Sequence, residues 1–104
     1  MIPRMWRGFT KPGMADAYAT HLYGTLLPEL QTIAGFRDVQ LLRRDLPDGA
    51  EIVVMTYWES IDSILAFAGE DAERAVVAEE ARPLFREYDS TVRHFRIAMN
   101  SAHR

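Results

Sequence analysis

The stretch Glu51-Ile52-Val53-Val54-Met55-Thr56-Tyr57-Trp58-Glu59-Ser60 decides how the rest of the chain folds. From Ile52 to Trp58 every residue is β-branched, methionine or aromatic. A strand's period of two puts Ile52, Val54, Thr56 and Trp58 on one face and Val53, Met55 and Tyr57 on the other. Both faces suit burial, which is the pattern of a central strand covered on two sides. In a chain of 104 residues the helices can cover one face and leave little for the second. A second copy meeting the first through the sheet faces, a homodimer, is the expected cover.

Just upstream, Leu46-Pro47-Asp48-Gly49 is a hairpin signal, because proline presets φ and Asp-Gly tolerates positive φ. Residues 36–45 therefore form a strand antiparallel to the first stretch, and charges on both its faces (Arg37, Asp38, Arg43, Arg44) suit a sheet edge. Just downstream, Ser60 caps a helix whose buried stripe is Ile61, Ile64, Leu65 and Ala68, with Phe67 on the flank and Gly69 as the stop.

Further out, residues 2–9 read as a first strand closed by the turn Thr10-Lys11-Pro12-Gly13. Arg4, Trp6 and Gly8 share one face; Met5, Arg7 and Phe9 share the other. Residues 14–33 read as a helix with the stripe Ala15, Tyr18, Ala19, Leu22 and Leu26 and with Asp16, Thr20 and Tyr23 opposite. His21 and Thr25 sit at the edge of the stripe, where a helix meets a cleft. Pro28 predicts a kink or break before Leu30, and Ala34-Gly35 a glycine stop. Residues 70–80, acidic and alanine-rich, suggest a short helix with an irregular join. A further helix is expected over 79–87 with Pro83 in its first turn. A last strand is expected over 91–99 with Val92, His94 and Arg96 on one face, and residues 100–104 as a frayed tail. The order β-α-β-β-α-β predicts an α+β, ferredoxin-like single domain over residues 1–99. Its four-stranded antiparallel sheet has strands one and three at the centre and helices on one face.

Composition narrows the chemistry. Fifteen acidic against 12 basic residues give a net charge of −3, which argues against a nucleic-acid or anionic-membrane surface. The absence of cysteine excludes disulfides, thiolate metal sites and a cysteine nucleophile. No apolar run is long enough to span a bilayer and the first residues enter a strand without a secretory leader, so a cytoplasmic location is expected. His21, His94 and His103 share no ligand spacing, so no protein metal site is expected. The six glycines are scattered at turns and element ends, with no phosphate loop or dinucleotide fingerprint.

His94 has two readings: a half-buried imidazole bonded to a neighbour, or a neutral base lining a pocket. His21 has the same two, and its place at the stripe edge favours the cleft. Trp6, Tyr57 and Trp58 serve either as core and interface or as the walls of an aromatic pocket. Glu70, Asp71, Glu73, Glu79 and Glu80 read as a solvated face. Arg4, Arg7, Arg93 and Arg96 on strands are expected to pair with carboxylates across the dimer, the alternative being attraction of an anionic substrate.

Thr56-x-Trp58-Glu59-Ser60 after a hairpin and before a short helix ending Ala66-Phe67-Ala68, with Ile33-Ala34-Gly35-Phe36 leading into a strand upstream, resembles the antibiotic biosynthesis monooxygenase family of the dimeric α+β barrel superfamily. The resemblance covers residues 2–97. It implies two sheets facing each other in a barrel, with a ligand cleft between sheet and helices in each subunit. It further implies oxygenation of a small phenolic, polyketide-like or quinone-forming substrate by O2 without metal, flavin or haem, the deprotonated substrate itself donating electrons to oxygen. In that scheme His94 or His21 is the base, and Trp6, Trp58, Phe67 and Tyr57 contact the substrate. A haem-degrading branch is similar to having Asn on the first strand, Trp on the second helix and His soon after. Those positions fall here on a strand without Asn, on Phe67 and near Val77, so haem binding or degradation is the weaker implication. A non-catalytic dimeric module that binds a small ligand, or merely scaffolds, is the reading from a different class.

Overall fold

The alternation read along residues 52–58 holds in three dimensions. In β3 (Gly49–Trp58), Ala50, Ile52, Val54, Thr56 and Trp58 are buried, while Glu51, Val53, Met55 and Tyr57 are half-exposed on the other side. The computed structural model describes residues 1–101; His103 lies outside the described residues. β3 pairs antiparallel with β1 (Ile2–Thr10) along one edge and with β2 (Phe36–Leu46) along the other. Leu46 faces Gly49 in the β2–β3 hairpin, so Pro47-Asp48 is a two-residue loop. The sheet order is β2-β3-β1-β4, with β5 also on β1, which is the ferredoxin-like α+β arrangement with strands one and three central and β2 at an edge.

The last strand differs from the expectation over 91–99. It starts earlier and is broken into β4 (Phe85–Tyr88) and β5 (Arg93–His94), both antiparallel to β1. Gly8 faces Tyr88 and Arg4 faces His94. Between them residues 89–92 bulge outward, and segment 73–75 takes up their backbone groups: the Ala75 amide donates to Ser90 (2.9 Å) and the Val92 amide to Glu73 (2.9 Å). Past β5 the Phe95 amide still donates to Pro3 (2.9 Å), but no strand covers 95–99. The helix expected over 79–87 is a 3₁₀ stretch, Glu79–Leu84, with Pro83 inside it. Proline removes a helical bond there, and Phe85 must turn into the core of the sheet, so the helix goes no further. Residues 70–78 form no helix.

The first helix also departs from its expected shape. α1 (Ala15–His21) passes through a π-helical turn, Leu22–Leu26, into α2 (Leu27–Leu30) without a break. The Leu27 amide reaches back five residues to Leu22. Pro28 therefore stands in the first turn of a fresh α segment, where its missing N–H is not needed, and the expected kink is absorbed one turn earlier. Gly35 is not this helix's cap. Its φ of 93° and close approach explain the residue: a Cβ there would lie 2.5 Å from that of Ser63. Its carbonyl accepts the Glu59 amide at 2.8 Å, which binds the start of β2 to the end of β3. α3 (Ile61–Ala68) opens with a capping box in which Ser60 Oγ accepts from the Ser63 amide (3.2 Å) and Ser63 Oγ from the Ser60 amide (3.3 Å). Gly69, at φ 87°, ends it.

Helices cover one face of the sheet and enclose two apolar clusters. One gathers Trp6, Tyr18, Leu22, Ile52, Val54, Ala81, Phe85 and Val92; the other gathers Leu30, Trp58, Ile64 and Ala68. The opposite face carries Met5, Arg7, Phe9, Val53, Met55 and Tyr57, all half-exposed, and Leu42, 50% exposed. No helix among the described residues is long and apolar enough to cross a membrane.

Candidate functional site

A strand residue on the helix-covered face must either pack or line a gap between sheet and helices. Trp6, on that face of β1, does both. Its indole packs edge-on against Phe85 (5.4 Å) and tilted against Tyr18 (6.1 Å), and its Nε1 donates to the Asp89 carbonyl at 2.8 Å. The bulge between β4 and β5 thus supplies the acceptor that fixes the ring. Trp6 and Tyr18 bound a cleft of about 240 Å³, with His21 and Glu29 from the first helix and Val76, Val77 and Ala78 from the irregular segment among its other walls. Tyr18 also stacks at a tilt on His21 (5.7 Å).

The same two rings, with Leu26 and Val76, also line an adjoining, smaller inner cavity of about 30 Å³ at the seam of the two clusters. Arg4, Thr56 and Phe67 reach it from the sheet and from α3. Arg4 is 5% exposed. Its Nη2 donates to the Arg74 carbonyl (2.8 Å), its Nε is buried without a partner, and its guanidinium lies over the Phe67 ring at 5.5 Å. Burial, and secondarily the charge of Arg74, pull its pKa down to about 10, so it remains a cation at neutral pH. Burial raises the Tyr18 phenol above its usual range, so it stays protonated and able to donate. His94 faces Arg4 across the β1–β5 pairing, with its Nε2 buried and unpartnered. Burial first, then the Arg4 charge, lower its pKa against an opposing pull from Glu73, which keeps the imidazole neutral.

The residues singled out from sequence separate into three groups. Trp6 and His21 share the cleft, and Phe67 lines the inner cavity. Trp58 is fully buried behind Phe67, stacked on it at 5.7 Å, with Nε1 donating to Thr56 Oγ1 at 2.9 Å. His94 stands beside Arg4, outside the cleft walls. Tyr57 lies on the opposite face of the sheet, its hydroxyl donating to Gln40 (2.7 Å), and does not meet the others. Arg7 and Arg93 face the open side of the sheet, but Arg4 faces the helices, so the expected pairing of Arg4 with carboxylates across a dimer does not fit its place. Sequence reading missed Tyr18 and Thr56 as cavity residues and gave Arg4 a substrate role only as its second alternative. The signal was the alternation itself, which sets Arg4 on the same face as Trp6.

A larger groove, about 460 Å³, runs between the first helix and β2. Its walls are mostly apolar. Of the charged groups at its rim, Arg37 is paired with Glu59 and Asp38 accepts from the Val39 amide (2.8 Å). The smaller cleft brings Tyr18, His21 and Glu29 together and adjoins the cavity lined by Arg4, whose Nε is unpartnered, which makes it the stronger candidate. Among the described residues no group of three or more histidine or acidic side chains could hold a metal ion.

The family model described as antibiotic biosynthesis monooxygenase matches residues 2–92. Among solved structures, a Bacillus cereus protein assigned to that family superposes with a TM-score of 0.69 at 19% identity, over 100% of this chain and 97% of that one. A point mutant of MhuD, solved with two manganese protoporphyrin IX bound per active site, superposes with a TM-score of 0.63 at 20% identity, over 99% of this chain and 100% of that one. These likenesses are of fold. No curated protein matches by sequence.

Proposed function

This chain belongs to the antibiotic biosynthesis monooxygenase family, and from that premise we propose that its cleft oxygenates a small phenolic, quinone-forming aromatic with O2. The observation that carries this reading is the shared cleft of about 240 Å³ in which His21 meets Trp6 and Tyr18. A cavity of about 150 Å³ holds benzene, so the space suits one or two fused rings. His21 takes the phenolic proton, and the phenolate supplies the electrons that reduce oxygen. One oxygen atom forms the new ring carbonyl. The other leaves as water with the phenolic hydrogen and the hydrogen lost from the ring carbon. Trp6 and Tyr18 wall the ring, and Phe67, backed by Trp58, borders the adjoining inner cavity. His94, neutral beside Arg4, is the second candidate base. Tyr57 has no part in this arrangement.

Oxygen uptake with catechol- and naphthol-type substrates in chelator-treated buffer tests the reading. The expected result is turnover by the wild type and a loss of about 10²-fold or more in kcat for whichever of His21→Ala and His94→Ala removes the base. Full activity in both variants ends the assignment, and binding without oxygen uptake leaves a ligand-binding module. Haem is disfavoured by the fit. Aligned from Trp58, the Trp position of the haem-degrading branch falls on Phe67 and its His position near Val77, and the first strand has no Asn.

The same reading includes a homodimer closed through the open sheet face. Val53 and Met55 sit at its centre, flanked by Leu42 and Met5. Stable interfaces bury about 800 Å² per partner with an apolar middle. Paired Val53→Glu and Met55→Glu substitutions place two charges in that middle. Sedimentation is expected to show a dimer for the wild type at micromolar concentration and a monomer for the double variant. A monomeric wild type rejects the dimer.

A further inference from the structure

Among the described residues, no anion pairs with the buried cation Arg4. Among the described residues, every ion pair involves other arginines. Moving a guanidinium out of water costs several kcal/mol unless a counter-charge or a full set of hydrogen bonds compensates. Here the Arg74 carbonyl satisfies one nitrogen, and Nε has nothing. The surroundings sharpen the imbalance. The charge that acts on Arg4 is another cation, Arg74, whose Nη2 is tied to the Ala68 carbonyl at 2.8 Å. Nothing on the cavity wall is an acid. Its polar side chains, apart from the Trp6 indole already bonded to Asp89, are Arg4, Tyr18 and Thr56. Tyr18 holds its proton. Thr56 Oγ1 accepts from the Trp58 indole, which leaves its own O–H to donate. A cavity whose polar wall offers one charged donor and two hydroxyls able to donate, with no carboxylate, suits a ligand oxygen that carries negative charge.

We propose that the inner cavity is a carboxylate subsite, and that the ligand of the cleft is an aryl carboxylate whose anionic head seats on Arg4. The inference rests on the cleft being the ligand site, and it adds the substrate class. About 30 Å³ admits one small polar group. Trp6, Tyr18, Leu26 and Val76 line both this cavity and the cleft that holds His21, so the two spaces adjoin, and the proposed ligand spans them. A carboxylate there accepts from the idle Nε of Arg4 and from the Tyr18 and Thr56 hydroxyls, on a guanidinium whose place is held by the Phe67 ring. A hydroxyl on the far side of such a ring is then directed to the outer cleft, where the proposed base stands.

The test compares acids with their neutral isosteres. Hydroxybenzoate and hydroxynaphthoate isomers are titrated by calorimetry beside the matching amides, on wild type, Arg4→Lys and Arg4→Met. The wild type is expected to prefer the acids by about tenfold or more. Arg4→Lys should keep part of that preference, and Arg4→Met should lose it. Because removing an unpaired buried charge relieves its desolvation, Arg4→Met should melt no lower than wild type, which separates lost recognition from lost folding. Equal affinity for acids and amides, an acid preference that survives Arg4→Met, or no binding by any acid overturns the inference. If the acids bind with the expected preference but no oxygen is consumed, the subsite stands and the oxygenase reading falls.

Discussion

Trp58→Ala is expected to remove about 3–5 kcal/mol of stability, most of what a domain of this size has. The indole is wholly buried. It stacks on Phe67, meets Phe36 edge-on at 5.4 Å and donates to Thr56. Truncation leaves a void among Leu30, Ile64 and Ala68, where a capped α3 and the packed end of the first helix have little freedom to close it. It also leaves the Thr56 hydroxyl without its donor. Urea unfolding read by circular dichroism should show the midpoint falling by more than half, or a chain already unfolded. Trp58→Phe keeps most of the ring and should lose only about 1–2 kcal/mol. Similar midpoints for Trp58→Ala and wild type would show that this cluster does not hold the fold. Because Phe67 lies between Trp58 and Arg4, the alanine variant should also blur whatever the inner cavity recognises.

Gly49→Ala should cost about 3 kcal/mol or more, although it adds a single methyl group on a half-exposed turn. Gly49 has φ 144°, and a Cβ there would run into the backbone carbonyl of Thr10, which cannot rotate away. Thr10 is itself buried and its Oγ1 accepts the Ala50 amide at 3.1 Å. Relief would require parting β1 from the hairpin. Gly13→Ala is the control: its φ of 75° is also positive, but nothing lies within 4 Å of the added carbon. It should cost only about 1 kcal/mol, the conformational part alone. Equal losses for the two variants, measured by thermal or urea unfolding, would mean that the close approach at Thr10 is unimportant.

How far residues announce their own fate differs along the chain. Residues 52–58, the Pro47-Asp48 turn, the Ser60 cap and the Gly69 stop were readable because each depends on local geometry: a period of two, a preset φ, a side-chain oxygen near a free amide. The start of the last strand was not. Pro83 and Phe85 pull in opposite senses locally, and the choice is made by the pairing of Gly8 with Tyr88, a contact between distant parts of the chain. The π turn before Pro28 likewise reconciles a proline with continuous packing of Leu22 and Leu30, which helical spacing alone does not reveal. At the site, alternation already set Trp58 and Tyr57 on opposite faces, so a single cleft could not use both. The lack of a carboxylate for Arg4 is a property of everything that surrounds it, and no stretch of sequence records it.

The bulge that splits the last strand has a consequence for one wall of the cleft. The wall formed by Val76, Val77 and Ala78 lies in no helix and no strand; among the described residues it is held to the bulge through residues 73–75 and to the 3₁₀ stretch by the Ala78 carbonyl, which accepts from Ala81 (3.0 Å) and Arg82 (3.3 Å). Breaking those few backbone bonds exposes far less apolar surface than unfolding β3 would, so this wall opens at a free energy well below that of the whole domain. Amide protons along 74–78 are therefore expected to exchange with solvent sooner than those of β3, which hydrogen exchange reads directly.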